Sequence, residues 1–385
     1  MQCSKMVKIS ELITQNTKTE KITDMENEHY ITLSLYGKGV RERVIKDGKY
    51  PVPFLGYKVS AGQFIYSRID ARNGAYGIIP PELEGYVVSK DFPIYNINTN
   101  KVLPQFLLRS VLSNSFIRQV KNSSFGATNR MRIKEEVLEN YTISLPPIEK
   151  QAEITERLDK VELIISQRQN EINLLNELVK ARFVELFGDP IRNEKGWKTC
   201  SLTDACLKIF GGGTPSKSHP EYFEGLIPWV SPKDMKSDVI TDSIDHITEE
   251  AITNSTTTLV PKESVLMVIR SGILKHHLPV AINAVPVTIN QDMKAFVPGQ
   301  TITASFLRSY FVAIESDVLS GVRGVTADNI DFKSFQQRAI IIPPLDLQIA
   351  FESFCKQVDK SKVVVQKSLD ETKKLFDSLM QEYFG

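Results

Sequence analysis

Twice along the chain, apolar residues step by four and three in turn, the spacing that lines up one stripe of a long α-helix and builds a coiled-coil seam. The first stripe is Ile154, Leu158, Val161, Ile165, Arg168, Ile172, Leu175, Val179, Arg182 and Leu186. The second, at identical offsets, is Phe351, Cys355, Val358, Lys362, Val365, Leu369, Thr372, Phe376, Leu379 and Tyr383. Only two of the ten positions are polar in each stripe, so both helices need something to cover them. The double prolines Pro146-Pro147 and Pro343-Pro344 set the helix starts, because proline fits the first turn and not the interior. Gly188 suits the left-handed residue just past a helix end. Each helix should run about 60 Å at ~1.5 Å per residue.

The two stripes belong to a repeat. Pro146 to Gly188 matches Pro343 to Gly385 without a gap, at an offset of 197 residues, with Gln151 opposite Gln348 and Phe187-Gly188 opposite Phe384-Gly385. An amphipathic helix this long cannot bury its stripe against itself, and the nearest surface in register is its own repeat. Two arrangements follow: the helices pair with each other as an antiparallel coiled coil, or each packs separately onto its own domain or another subunit.

Ahead of each helix lies a stretch of ordinary domain length, which divides the chain into residues 1–145, 146–188, 189–342 and 343–385. Short apolar-alternating runs at His29 to Leu35, Val265 to Ile269 and Ala339 to Ile342 read as strands. Pro104 to Val120 and Ser305 to Val318 read as helices. Faint but ordered matches join the two domains: Ile65-Tyr66-Ser67-Arg68 with Val268-Ile269-Arg270, Val88-Ser89-Lys90-Asp91 with Ile289-Asn290-Gln291-Asp292, and Gly126-Ala127-Thr128 with Gly324-Val325-Thr326. The architecture expected is an α+β chain, one mixed α/β domain used twice, with a long helix after each copy.

Charge narrows the function. Lys and Arg total 47 against 46 Asp and Glu, so any affinity for nucleic acid has to come from local clusters. Phe92 to Lys134 holds no acid, yet carries Lys101, Arg109, Arg118, Lys121, Arg130, Arg132 and Lys134. That run is either a solvated face or a phosphate-binding one. No apolar stretch approaches the ~20 residues of a membrane span and Met1 to Glu20 has no signal-like core, so a cytoplasmic chain is expected. Cys3, Cys200, Cys206 and Cys355 show neither C-x-x-C spacing nor histidine partners at metal intervals, so no metal is expected.

Several clusters could touch DNA. Arg68, Arg72 and Asn73 follow a predicted strand and could read base edges bidentately, or Arg68 and Arg72 could instead pair with Asp70 or Asp91. Lys121, Ser123, Thr128 and Arg130 combine hydroxyls with flanking bases, a workable backbone clamp, and Arg323 and Thr326 have the same character in the second domain. Arg270, Lys275 and His276 sit in an acid-free stretch from Ser264 to Gln291 and fit a phosphate-facing loop or plain solvent exposure. The segment Gly211-Gly212-Gly213-Thr214-Pro215-Ser216-Lys217-Ser218 misses a nucleotide-binding loop by one residue, since Ser216 stands where the last glycine belongs and Pro215 removes an amide. A nucleotide-binding protein, or a bare coiled-coil scaffold, are the alternatives to a DNA reader.

At this point the residues resemble the specificity subunits of type I restriction-modification systems. The resemblance covers essentially the whole chain and rests on the two P-P-[IL]-x-x-Q helices, on Phe187-Gly188-Asp189-Pro190 with Gly196-Trp197, on Gly211 to Ser216 with Tyr222-Phe223 and Ile227-Pro228-Trp229-Val230, and on Ile289-Asn290-Gln291-Asp292. It implies a non-catalytic subunit in which each domain grips half of a bipartite double-stranded DNA site. It also implies that the helix pair spaces the domains and docks two DNA adenine methyltransferase subunits, with a restriction and translocation subunit as a further partner, in the service of DNA methylation and phage defence. Under that reading Ile154, Leu158, Val161, Ile165, Ile172, Leu175, Phe351, Val358, Val365, Leu369 and Phe376 pair the helices or dock partners. The first domain departs from the pattern, having no counterpart of Gly211 to Thr214. Neither a methyltransferase tetrad nor a glycine-rich cofactor fingerprint occurs, so no cofactor is expected; Ile79-Pro80-Pro81-Glu82 fails the tetrad at both ends.

Overall fold

The two stripes fold as the continuous helices Ile148–Phe187 and Leu345–Phe384 in the computed structural model, which describes residues 5–45, 48–125, 132–322 and 329–385. Gly188 closes the first helix at φ +76° with its amide on the Val184 carbonyl, as a residue without Cβ allows. By contacts the chain forms two compact units, Met1–Gln169 with Lys367–Gly385, and Asn170–Gln366. Each unit therefore holds one recognition domain and part of both long helices.

In the first unit, Lys5–Lys8 pairs antiparallel with Thr142–Leu145, bringing the start of the domain beside its exit into the helix. A four-stranded antiparallel sheet in the order Ile13–Gln15, Ile94–Ile97, Phe64–Tyr66, Tyr76–Ile78 carries the fully buried Phe64, Tyr66, Tyr76 and Tyr95. Phe106 and Phe116 join them from two short helices, and Ile154 and Leu158 from the long one. Phe376, Leu379, Tyr383 and Phe384 of the second long helix pack against the same core. Arg157 donates to the Tyr383 hydroxyl at 3.2 Å.

The second unit repeats the closure, with Lys198–Ser201 antiparallel to Ala339–Ile342. Its five-stranded sheet runs Cys206–Gly211, Met293–Pro298, Val265–Val268, Val280–Asn283, Val239–Ile240, with the last pair parallel. Phe183 and Phe187 of the first long helix meet Phe351 of the second at centroid separations of 5.7 and 5.4 Å, with Phe306 between them and the domain.

The glutamine shared by the two repeats has a chemical reason. Gln151 is fully buried; its Oε1 accepts from the Leu103 amide at 2.9 Å while its Nε2 donates to the carbonyls of Lys101 and Pro146. Gln348 does the same with the Thr303 amide and the Thr301 and Pro343 carbonyls. Each side chain ties the first turn of a long helix to the start of a short domain helix. An amide, with a donor and an acceptor at one end, is suited to satisfying buried backbone groups of both kinds.

Local boundaries differ from expectation. Pro104 to Val120 is two helices, Pro104–Leu112 and Asn114–Ser123, because Ser113 turns extended and its hydroxyl accepts from the Phe116 amide as a cap. Ser305 to Val318 breaks likewise at Ile314, into Ala304–Ala313 and Glu315–Ser320. His29 to Leu35 keeps only Ile31–Leu33 as strand, since Tyr36 and Gly37 turn the chain at positive φ.

Candidate nucleic-acid interface

The second domain presents a concavity of about 800 Å³ lined by Thr214, Lys217, Phe223, Trp229, Lys233 and Asn290 to Asp292. Its wall is the three-stranded sheet His246–Ile247, Ile227–Val230, Thr288–Ile289. Gly212 brings the chain against that wall: a Cβ there would lie 1.6 Å from the Asn290 carbonyl oxygen, so only glycine fits. The buried Trp229 donates its indole N–H to the Gly213 carbonyl at 3.0 Å, fixing the loop from below. Thr214 donates its hydroxyl to Oε1 of the exposed Gln291, which turns the two amide N–H donors of Gln291 into its available chemistry. Lys217 and Lys233, both exposed, supply positive charge at the same rim.

Arg270 stands next to this rim and is held by Asp292, whose Oδ1 accepts from its Nε at 2.6 Å and Nη2 at 2.5 Å. Asn290 in turn donates to the other carboxylate oxygen of Asp292 at 3.2 Å. Lys275, His276 and His277 are exposed, the first at the end of a short turn Gly272–Lys275 and the histidines just beyond it.

In the first domain the aligned residues form the same backbone link. The Arg68 amide donates to the Asp91 carbonyl at 3.0 Å, as that of Arg270 does to Asp292 at 3.2 Å. The side chain of Arg68 pairs with Glu135, not with Asp70 or Asp91. Arg132 takes Asp91 instead, at 3.3 Å. Arg72, Asn73 and Lys121 come together around a separate concavity of about 410 Å³ that also includes Tyr36, Arg109 and Glu162. Ser123 is exposed at the end of its helix. Thr128, Arg130, Arg323 and Thr326 lie outside the described residues.

The acid-free run thus divides. Arg109 turns inward to Asp159 and Glu162 of the long helix, at 2.5 and 2.8 Å, while Arg118 and Lys121 stay exposed. The sequence alone does not single out Tyr36 or Lys233, and in it Lys217 stands only in a near-miss phosphate loop. For Tyr36 the signal was a large aromatic beside Gly37 in a polar turn.

The comparisons decide the family. The model of the type I restriction modification DNA specificity domain matches residues 3–174 and again 194–371. The chain belongs to that family. The EcoR124I/EcoR124II specificity subunit of Escherichia coli is 36% identical over 201 residues, 51% of this chain, and the match spans about half of that relative, 49% of its length. The HindI specificity subunit of Haemophilus influenzae is 22% identical over 76% of this chain and 79% of its own. A chain solved in work on complex assembly and conformational transition of the type I R-M system superposes with a TM-score of 0.57 at 19% identity, covering 100% of this chain and 98% of that one. At that identity the likeness is one of fold.

The matching family is one of DNA specificity domains. Gly211 to Ser218 leads into the short turn Pro220–Phe223, whereas a phosphate cradle opens a long helix. Burial pushes the Cys206 and Cys355 thiols up to about 12, which keeps them from acting as nucleophiles near neutrality. Among the described residues no group of three or more His, Cys, Asp or Glu could hold a metal ion, and no described helix is long and apolar enough to cross a membrane.

Along the seams of this specificity chain, Ile154, Leu158, Val161, Phe351, Val358, Val365 and Leu369 are buried, while Ile165, Ile172, Leu175 and Phe376 are half-buried. The seam lysine, Lys362, reaches Asp238 of the recognition domain at 2.9 Å, where Arg308 also binds. Burial works against the Asp238 carboxylate, but these two cations outweigh it and hold its pKa below the usual carboxylate range.

Proposed function

We propose that the chain reads a two-part double-stranded DNA site, one half in each recognition domain, while the two long helices pair antiparallel and fix the gap between the halves. The observation that carries this is the repetition within one chain: two domains, each closed by its own first-and-last strand pair and each bolted to its own long helix by the same buried glutamine. Two equivalent readers on two equivalent helices suit a target with two specified blocks and an unread interval. In unit after unit the start of one helix shares a core with the end of the other, as Arg157 with Tyr383 and Phe187 with Phe351 do, and that is the order an antiparallel pair requires. The helix repeat gives one equivalent docking segment per copy, which suits two DNA adenine methyltransferase subunits, with restriction and translocation subunits joining the complete assembly.

Within the domains, we assign DNA contact to Lys217, Lys233 and Gln291, which line the second concavity, and to Arg72, Asn73 and Lys121, which line the first. The cations engage phosphates; amide and guanidinium groups can read base edges. Arg270, tied to Asp292 at the rim of the second concavity, is a further candidate, as are Arg68, Lys275, His276 and Ser123 from the sequence.

The test is a map of methylated adenines in cells carrying this chain with its methyltransferase. The expected result is one motif with two specified blocks, and Gln291→Ala should relax only the block read by the second domain. A single uninterrupted motif, or no motif dependent on this chain, would overturn the proposal.

A further inference from the structure

Tyr36 is held in a backbone conformation that an aromatic residue rarely adopts, φ +59°, and gains no burial in return, being 75% exposed. It lies in the turn joining the strands Ile31–Leu33 and Val40–Glu42. The turn is pinned at its tip: the Tyr36 amide donates to the Asn73 carbonyl at 2.8 Å, and that of Gly37 to the Gly74 carbonyl at 2.9 Å. Gly37 is seated on Leu112, whose side chain would stand 3.0 Å from any Cβ added there. Gly74 packs against Tyr36 Cα itself, 3.4 Å from where its own Cβ would be. The turn is therefore anchored to the 71–74 segment and to a domain helix, and glycine already fills its neighbouring left-handed positions 37 and 39. A glycine at 36 would relieve the backbone, and a tyrosine there adds an unpacked ring beside Arg72, Asn73 and Lys121 at the mouth of the 410 Å³ concavity. Arg109 in the same concavity is taken up by Asp159 and Glu162 of the long helix, so the exposed groups left there include Lys121 and the ring.

We propose that Tyr36 is a specificity-determining residue of the first domain, which lays its ring against a base step of the first half-site while the exposed Lys121 holds a flanking phosphate. The inference rests on the DNA-reading proposal. A flat apolar face beside a cation is the chemistry that meets an unstacked or partly opened base step, where the ring replaces lost stacking. Strain and exposure, both unfavourable in the free protein, are then offset only in the complex.

The experiment uses the full chain with its methyltransferase, and a duplex carrying the methylated motif with 2-aminopurine placed at successive positions of the first half-site. Wild-type protein should raise the 2-aminopurine fluorescence at one step. Tyr36→Gly should lose that signal and bind the specific duplex about 5- to 150-fold more weakly, the equivalent of ~1–3 kcal/mol for one stacked base. Its thermal midpoint should stay equal or rise, because the left-handed position suits glycine, and its affinity for unrelated duplex should not change. Tyr36→Phe should keep both signal and affinity. Unchanged specific binding by Tyr36→Gly would overturn the inference, and so would a loss accompanied by a fall in thermal midpoint, which marks a structural residue. If the wild-type complex prefers no duplex at all, the DNA-reading proposal itself fails and this one falls with it.

Discussion

Single residues divide into those whose partners are near in sequence and those whose partners are not. Gly188, Ser113 and the paired prolines act on their own neighbours, so their roles follow from local order alone. Arg68 and Arg270 look alike as candidates on a strand end, yet their ion partners are Glu135, 67 residues away, and Asp292, 22 away. Nothing local in the chain points to Glu135. Gln151 and Gln348 stand between these cases: the repeat marks them, and only the fold shows that each satisfies one buried amide and two carbonyls. Replacing either by alanine strands those groups, at about 1–3 kcal/mol for each buried partner left unpaired. Gln348→Ala should therefore lower the thermal midpoint by about 6 °C or more, at ~2–4 °C per kcal/mol for a unit of this size. Differential scanning calorimetry checks this, and a midpoint matching wild type would mean the amide is replaceable by water.

Elements show the same division. Both long helices were legible to within a residue or two, because proline, glycine and a sustained apolar stripe act along one continuous segment. The strand order of the sheets was not legible, since the four-stranded sheet joins residues 13–15 to 94–97 and the five-stranded one places 206–211 beside 293–298. If the proposed pairing sets the gap, adding seven residues in phase to both helices lengthens the pair by ~10 Å at ~1.5 Å per residue and keeps the seam in register. That length is close to 3 base pairs, and because each base pair also turns the duplex by ~34°, only gaps that restore the facing of both halves will serve. Methylome sequencing of the lengthened protein should show both half-sites intact and a wider gap. Methylation at the original gap with full efficiency would show that the helices do not measure it.

For the whole molecule, near-neutral net charge and membership of the specificity family give one expectation together. With 47 basic against 46 acidic side chains, binding must be carried by local rims and should weaken with salt in proportion to the few phosphates they contact. The purified chain with S-adenosylmethionine should transfer no methyl group, and should direct methylation to its own motif once the partner methyltransferase is added. Incorporation of labelled methyl groups measures this, and transfer by the chain alone would refute it.

The composition of the first unit carries a consequence in time. Its core, built on Phe106, Ile154 and Leu158, is completed by Phe376, Leu379, Tyr383 and Phe384, which the ribosome makes some two hundred residues later. At ~5–20 residues per second that interval is roughly 10–40 s. Through it the nascent first domain carries an apolar strip waiting for its cover, while the second unit, drawn wholly from residues 170–366, can finish folding first. The half of the protein begun earliest is closed last, so its yield in the cell should depend more on chaperones that shield open cores than its final stability would suggest.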